Sequence, residues 1–213
     1  MITAPDERWR VVVPVKGRLS AKSRLHPPAG VRRSDLAHAF ALDTLAAVSA
    51  GIAPAHLAVV TSDDATSGFA AALGAATVPD SRDGLNAAVA AGISYVLRTL
   101  GDGPTAVLLG DLPSLLPAEL LTALAECTRH ERCFVPDADG TGTVLLAARS
   151  ALLLEPRFGA GSAEAHGRDS VRLDLDLPTL RSDVDDDASL REAARLGVGR
   201  HTSAVLLGAP TSL

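Results

Sequence analysis

The feature that most constrains this chain is a repeated alternation of short, β-branched apolar runs with longer Ala- and Leu-rich segments. Val11 to Val15, behind Trp9, has the length and branching of a buried strand. Ser34 to Ala50 follows with Leu36, Ala39, Phe40, Leu42, Asp43 and Ala46 at helical spacing and Ser34 as the expected N-cap. The pattern then recurs. Leu57 to Thr61, Ala76 to Pro79 and Thr105 to Leu109 read as strands, with helices at Asp64 to Leu73 and Gly84 to Leu100 between them. Pro117 opens a further helix at a position that tolerates proline. Cys133 to Pro136, Thr143 to Ala147, Val171 to Leu175 and Leu180 to Val184 read as strands, and Ala188 to Leu196 as a helix. Strands separated by helices imply an α/β fold with a mostly parallel central sheet covered on both faces, because parallel neighbours need crossover connections. Ligands in such sheets bind at the carboxyl ends of the strands.

Composition narrows this further. Hydrophobic residues make up 47% and aromatics only 3%, so the interior must be built from Ala, Val and Leu. A length of 213 residues fits a single domain, with an ordered core at about 9–199 and a tail at 200–213. The formal charge of −5 offers no general grip on nucleic acid, so any phosphate binding must be local. Cys127 and Cys133 have no partners at zinc spacing and read as reduced thiols of a cytoplasmic protein. The polar, acidic start, Met1 to Arg8, is unlike a signal peptide, and no apolar run reaches membrane-spanning length.

Chemistry-bearing residues follow the strands. Lys16, Arg18, Lys22 and Arg24 lie within nine residues directly after the first strand, interleaved with small residues, which suits a nucleotide polyphosphate. The loop is not a Walker A motif, and no Gly-x-Gly-x-x-Gly follows the first strand. Asp111 stands at the end of an apolar strand, where a carboxylate needs a cation or hydrogen bonds. Asp183 and Asp185 alternate along an extended stretch, which points both carboxylates to one side. Mg2+ prefers oxygen ligands, so these three aspartates form a reasonable ligand set. The run Asp183 to Asp187 also reads as a helix N-cap with an acidic first turn, the reading expected of Asp186 or Asp187. Gly140 to Thr143 and Phe158 to Ser162 are small-residue loops that can act as anion-binding nests or simply as tight turns. Among six histidines with no metal spacing, His166 stands out because it follows the second glycine loop. Ser114 lies outside any nucleophile elbow.

Taken in order, Val13-Pro14-Val15-Lys16, Ala21-Lys22-Ser23-Arg24-Leu25, Leu85-Asn86, Gly110-Asp111-Leu112-Pro113, Gly140-Thr141-Gly142-Thr143, Arg157-Phe158-Gly159 with Ser162 and His166, and Asp183-Val184-Asp185 span nearly the whole chain. The ordered set resembles the guanylyltransferase family that makes the guanylylated three-carbon precursor of the deazaflavin coenzyme F-420. That resemblance implies a Rossmann-like nucleotidyltransferase fold, related to the sugar-nucleotide and molybdenum-cofactor nucleotidyltransferases. It implies GTP as donor and Mg2+, as two ions, held by Asp111, Asp183 and Asp185. Thr143, Gly159 and Ser162 would bind the acceptor. Lys16, Lys22, Arg18 and Asn86 would serve the nucleotide, and Lys16, Lys22 and Asp111 would be the catalytic groups. The sequence departs from the family pattern in having Asp186-Asp187 after Asp185.

Phosphoenolpyruvate is the expected acceptor, with 2-phospho-L-lactate as the alternative. Val144 after Thr143 and the Ala-, Arg- and Gly-rich composition point to the first. Other expectations are a homodimer and direct handover of a labile product to the next enzyme of the pathway. The competing readings are another nucleotidyltransferase of the same fold and a nucleotide-binding protein without turnover.

Overall fold

A computed structural model describes residues 9–15, 25–27 and 30–208. Seven strands form one sheet: β1 (Arg10–Val15), β2 (Leu57–Thr61), β3 (Ala76–Pro79), β4 (Thr105–Leu108), β5 (Arg132–Pro136), β6 (Thr143–Ala148) and β7 (Val171–Arg172). Their order is β3-β2-β1-β4-β6-β5-β7. β1 pairs in parallel with β2 and β4, β2 with β3, and β5 with β7, whereas β6 runs antiparallel to both β4 and β5. The chain leaves β1 towards β2 and β3 and later returns to β4 on its other side. The carboxyl ends of β1 and β4 therefore flank a switch point, where loops diverge and leave a crevice.

The helices are α1 (Arg33–Gly51), α2 (Asp64–Ala72), α3 (Leu85–Leu100), α4 (Pro117–Cys127), α5 (Ser162–Gly167), α6 (Pro178–Arg181), α7 (Asp187–Leu196) and α8 (Arg200–Leu206). Strand alternation divides the core. Val11, Val13 and Val15 join Ala41, Leu45 and Leu120 on one face, and Val12, Val60 and Val107 join Val89, Ile93 and Val96 on the other. Both faces are apolar, as parallel strands require. A third cluster of Leu25, Leu36, Phe40, Val184, Leu190 and Val205 lies apart from the sheet. Cys127 and Cys133 are both buried in the first cluster. Among the described residues, no helix is long and apolar enough to cross a membrane.

Four local expectations are corrected. Ser34 is not the N-cap of α1; Arg32 holds that position without a side-chain cap, and Asp35 in the first turn accepts from its guanidinium at 2.7 Å. The strand expected at Val171 to Leu175 ends at Arg172. Leu180 to Val184 is not a strand either. Pro178 opens α6, and the Glu119 carboxylate accepts from the amides of Thr179 and Leu180 at 2.9 and 3.0 Å, so the first turn is held as a helix.

The tail expected from residue 200 is in fact α8 up to Leu206, docked on α1. Its composition is unremarkable, but the buried carboxylate of Asp43 in α1 accepts from His201 N at 2.9 Å and Thr202 N at 2.8 Å. A distant residue thus caps this helix, which no local reading reveals. Replacing Asp43 with Ala strips both amides of their acceptor and should lower the unfolding free energy by about 2 kcal/mol. Denaturant titration measures the loss, and hydrogen exchange should show faster exchange at His201 and Thr202 in particular. Unchanged protection at those amides would refute the capping role.

Candidate active site

Asp111 emerges three residues beyond β4. Its loop approaches β1 so closely that a Cβ on Gly110 would stand 2.9 Å from Pro14 O and 3.0 Å from Val15 Cγ2, so only glycine fits. On the other side Leu112 N donates to Thr44 Oγ1 at 3.0 Å, and that buried hydroxyl donates to Phe40 O at 2.8 Å. The loop is thereby fastened to α1.

The remote aspartates reach Asp111 through one main-chain bond. Val184 N donates to Asp111 O at 3.1 Å, and the Val184 side chain is fully buried with Leu25 and Phe40. Asp183 and Asp185 flank that inward-facing residue. Carboxylate oxygens of Asp111, Asp183 and Asp185 lie within 4.8 Å of one another. The expectation that both carboxylates point to one side is met without a strand, because the segment is held by Val184 and by the turn of α6.

The next two aspartates do other work. Asp186 is the N-cap of α7, accepting from Ala188 N and Ser189 N at 3.0 Å within a capping box. Asp187 accepts from His26 N at 2.6 Å and pairs with the His26 ring at 3.3 Å. Clustered acids of one sequence run are thus divided between a shared cluster and local architecture.

A cleft of about 650 Å3 includes this cluster, lined by Val15, Asp111, Asp183 and Asp185 together with Thr143, Gly159 and Ser162. Thr143 begins β6, and Ser162 begins α5; both are buried to within 2%. Gly159 and Gly161 take φ of +132° and +71°, and nothing lies within 4 Å of where a Cβ would be. They present bare backbone to open space.

Two side chains hold this loop. Asn86 Oδ1 accepts from Phe158 N at 2.8 Å, while its Nδ2 donates to Phe158 O at 3.0 Å. The carboxamide expected to serve the nucleotide is therefore engaged with the Phe158–Ser162 loop. His166, 1% exposed, is packed edge-on against Phe158, with centroids 5.1 Å apart, and contacts Thr143 Oγ1 through Nδ1 at 2.9 Å. Arg157 N donates to its Nε2 at 3.0 Å. Burial, followed by the nearby Arg157 charge, lowers the imidazole pKa to about 4.

The other glycine loop is a turn rather than an anion nest. The Asp137 carboxylate accepts from Thr141 N at 3.0 Å and Gly142 N at 2.8 Å, so those amides already have an anion. Arg181 fastens the same hairpin to α6, donating to Pro136 O and Asp137 O at 3.1 and 2.9 Å. Thr44, Asp137 and Arg181 were not singled out by sequence. Only Asp137 carried a signal, an Asp opening a Gly-rich turn.

Among the described residues lining the cleft are five aspartates, Asp111, Asp137, Asp139, Asp183 and Asp185, and no Lys or Arg. Phosphorylated ligands would be repelled from such a wall unless cations intervene. Lys16, Arg18 and Lys22 lie outside the described residues, so the basic loop is known here only from sequence.

The family model described as "Guanylyl transferase CofC like" matches residues 9–206. A protein of Streptomyces coelicolor named phosphoenolpyruvate guanylyltransferase is 47% identical over 204 residues, covering 93% of this chain and 95% of its own. One of the same name from Salinispora arenicola is 47% identical over 211 residues, with 96% of each chain covered. Among solved structures, a nucleotidyl transferase from Methanothermobacter thermautotroptrophicus superposes with a TM-score of 0.57 at 18% identity, covering 90% of this chain and 98% of that one. A cytidylyltransferase from Leptospira borgpetersenii gives 0.52 at 12% identity, covering 84% and 82%. The structural neighbours establish the nucleotidyltransferase fold, and the family match together with the near full-length sequence relatives establishes the finer point: this chain belongs to the CofC-like guanylyl transferase family.

Proposed function

We propose that the cleft transfers GMP from GTP to phosphoenolpyruvate, giving enolpyruvyl-diphospho-5'-guanosine and pyrophosphate in coenzyme F-420 biosynthesis. One observation carries the reading: three aspartates from segments more than seventy residues apart in the chain meet in one cleft with Thr143, Gly159 and Ser162, in a member of this family. Relatives named for phosphoenolpyruvate favour that acceptor over 2-phospho-L-lactate.

In the reaction an oxygen of the acceptor phosphate forms a bond to the α-phosphorus of GTP. The bond from that phosphorus to the bridging oxygen breaks, and its electron pair leaves with pyrophosphate. The acceptor phosphate is already ionised near neutral pH, so no protein nucleophile is required. The barrier lies in bringing two anions together in line. Asp111, Asp183 and Asp185 are hard oxygen donors that fit Mg2+, and on this reading they would hold two ions together with the substrate phosphates. When bound, Mg2+ neutralises phosphate oxygens and stabilises the charge that develops on transfer. Thr143, Ser162 and the backbone at Gly159 hold the acceptor in the same cleft as the carboxylates. Lys16, Arg18 and Lys22 neutralise the triphosphate. Asn86 acts through Phe158, fixing the loop that carries Gly159.

Incubation with GTP and each three-carbon acceptor, read by pyrophosphate release and product mass, tests the reading. Turnover only with a sugar phosphate would overturn it. Replacing Asp183 with Asn should lower kcat/KM at least about 1,000-fold, roughly 4 kcal/mol of transition-state stabilisation, with little change in melting temperature. Asp186→Ala is the contrasting case. It should cost about 1 kcal/mol of stability through the lost cap while leaving the Mg2+ dependence of activity as in the wild type. A reversed pattern would move the cation site from Asp183 to Asp186.

Stability should also depend on pH. The ordinary histidine pKa of 6.5 is lowered to about 4 at His166, so between these values the unfolded chain holds a proton that the folded chain does not. This contribution is complete above about 6.5 and is lost progressively as the pH falls towards 4. His201, lowered by burial as well, acts in the same direction. The melting temperature should therefore drop between pH 7 and pH 4.5, and less so in His166→Gln measured against its own value at pH 7.

A further inference from the structure

We propose that His166 is a positioning residue: it turns the Thr143 hydroxyl so that the proton is offered to the cleft, which makes that wall a donor to an anionic acceptor. The inference rests on the reading of Thr143 as an acceptor contact and goes beyond it to the group that sets its polarity.

The argument is one of donors and acceptors. A neutral imidazole carries one N–H and one bare nitrogen. The Arg157 main-chain N–H can only donate, and it lies 3.0 Å from Nε2, so Nε2 is the bare nitrogen. The proton is then on Nδ1, which donates to Thr143 Oγ1 at 2.9 Å. A threonine hydroxyl that accepts this bond still has its own proton to give. Thr143 lines the cleft, and the acceptor oxygens would be the recipients. The opposite tautomer would set two hydrogens against each other at Nε2. It would also draw the Thr143 proton towards Nδ1 and turn a lone pair to the cleft, repelling an anion.

The surroundings enforce the neutral ring. His166 is buried between Phe134 and Phe158, with ring centroids at 6.0 and 5.1 Å. The charged groups facing it are Arg157, Asp169 and Arg132. Asp169 pairs with Arg157 at 2.7 Å and also with Arg132, while Arg157 binds Glu155 at 2.6 Å and Ala165 O at 3.0 Å. That network fixes the Arg157 backbone, and with it the amide that selects the tautomer. A charged imidazolium would face the Arg157 amide with a second donor, and the low pKa of about 4 agrees with its exclusion.

The test is a double-mutant cycle on the full chain, reading KM for phosphoenolpyruvate and for GTP separately. Thr143→Val should raise the phosphoenolpyruvate KM about tenfold or more and leave the GTP KM within about twofold. His166→Gln, which can accept from Arg157 N but places no donor at the Nδ1 position, should reproduce that pattern. His166→Asn, which keeps a donor there, should show a smaller rise. In the Thr143→Val background, His166→Gln should add little. If Thr143→Val raises the phosphoenolpyruvate KM and His166→Gln multiplies it further by its full single-variant factor, His166 acts elsewhere and the proposal falls alone. If Thr143→Val leaves that KM unchanged, the acceptor reading of Thr143 falls and takes the proposal with it. Nitrogen NMR of the wild-type imidazole gives a readout independent of variant folding: protonated Nδ1 supports the proposal, and protonated Nε2 overturns it.

Discussion

The site depends on one hydrogen bond, from Val184 N to Asp111 O. It joins the loop after β4 to a segment more than seventy residues further along the chain. Across that bond the carboxylate oxygens of Asp111, Asp183 and Asp185 come within 4.8 Å of one another. The bond is supported from beneath. Val184 is clamped in the third apolar cluster with Leu25, Leu36 and Phe40, and the Asp111 loop is anchored through Leu112 to Thr44 of the same helix as Leu36 and Phe40. Burial of apolar groups thus fixes the main chain that carries all three acids.

The opposite wall is built on a different principle. Thr143, Gly159 and Ser162 offer hydroxyls and backbone held in place by neighbours. Asn86 grips Phe158 by both main-chain groups, His166 packs on Phe158 and reaches Thr143, and Ala163 N donates to Thr141 O at 3.1 Å. Arg181 then ties the β5–β6 hairpin to α6, immediately ahead of Asp183. The two walls are therefore spaced by direct links and not only by the sheet. A cleft lined by five aspartates together with hydroxyls and bare backbone suits a cation-bridged anion more than a free one.

Much of this was legible in the sequence because it is periodic or because it is a motif. Strands β1, β2 and β3 and helices α3 and α7 match their apolar patterns to within a residue, since short β-branched runs and helical Ala/Leu spacing have few alternatives. The three aspartates, read from their position and spacing, and Thr143, Gly159 and Ser162, named by resemblance, line one cleft. Misreadings occurred where a distant partner decides the local structure. Glu119 holds Thr179 and Leu180 in a helical turn, and Asp43 gives α8 a cap that residues 200–208 lack on their own. Asn86, given to the nucleotide by resemblance, bonds both main-chain groups of Phe158 far along the chain, a contact with no local signal in the sequence.

By itself, then, the sequence determined the α/β alternation, the Val- and Ala-rich core and the residue types able to bind phosphate and metal, because these follow from short-range periodicity and from the chemistry of single side chains. Only the tertiary structure decided which acids of the Asp183–Asp187 run face Asp111 and which cap a helix or hold His26. It alone also decided that the Gly140–Gly142 loop is closed by Asp137, and which nitrogen of His166 carries the proton. Each of these is a choice between hydrogen-bond partners that are distant in sequence or equivalent by type, and such a choice is made only by distance and direction in the folded chain.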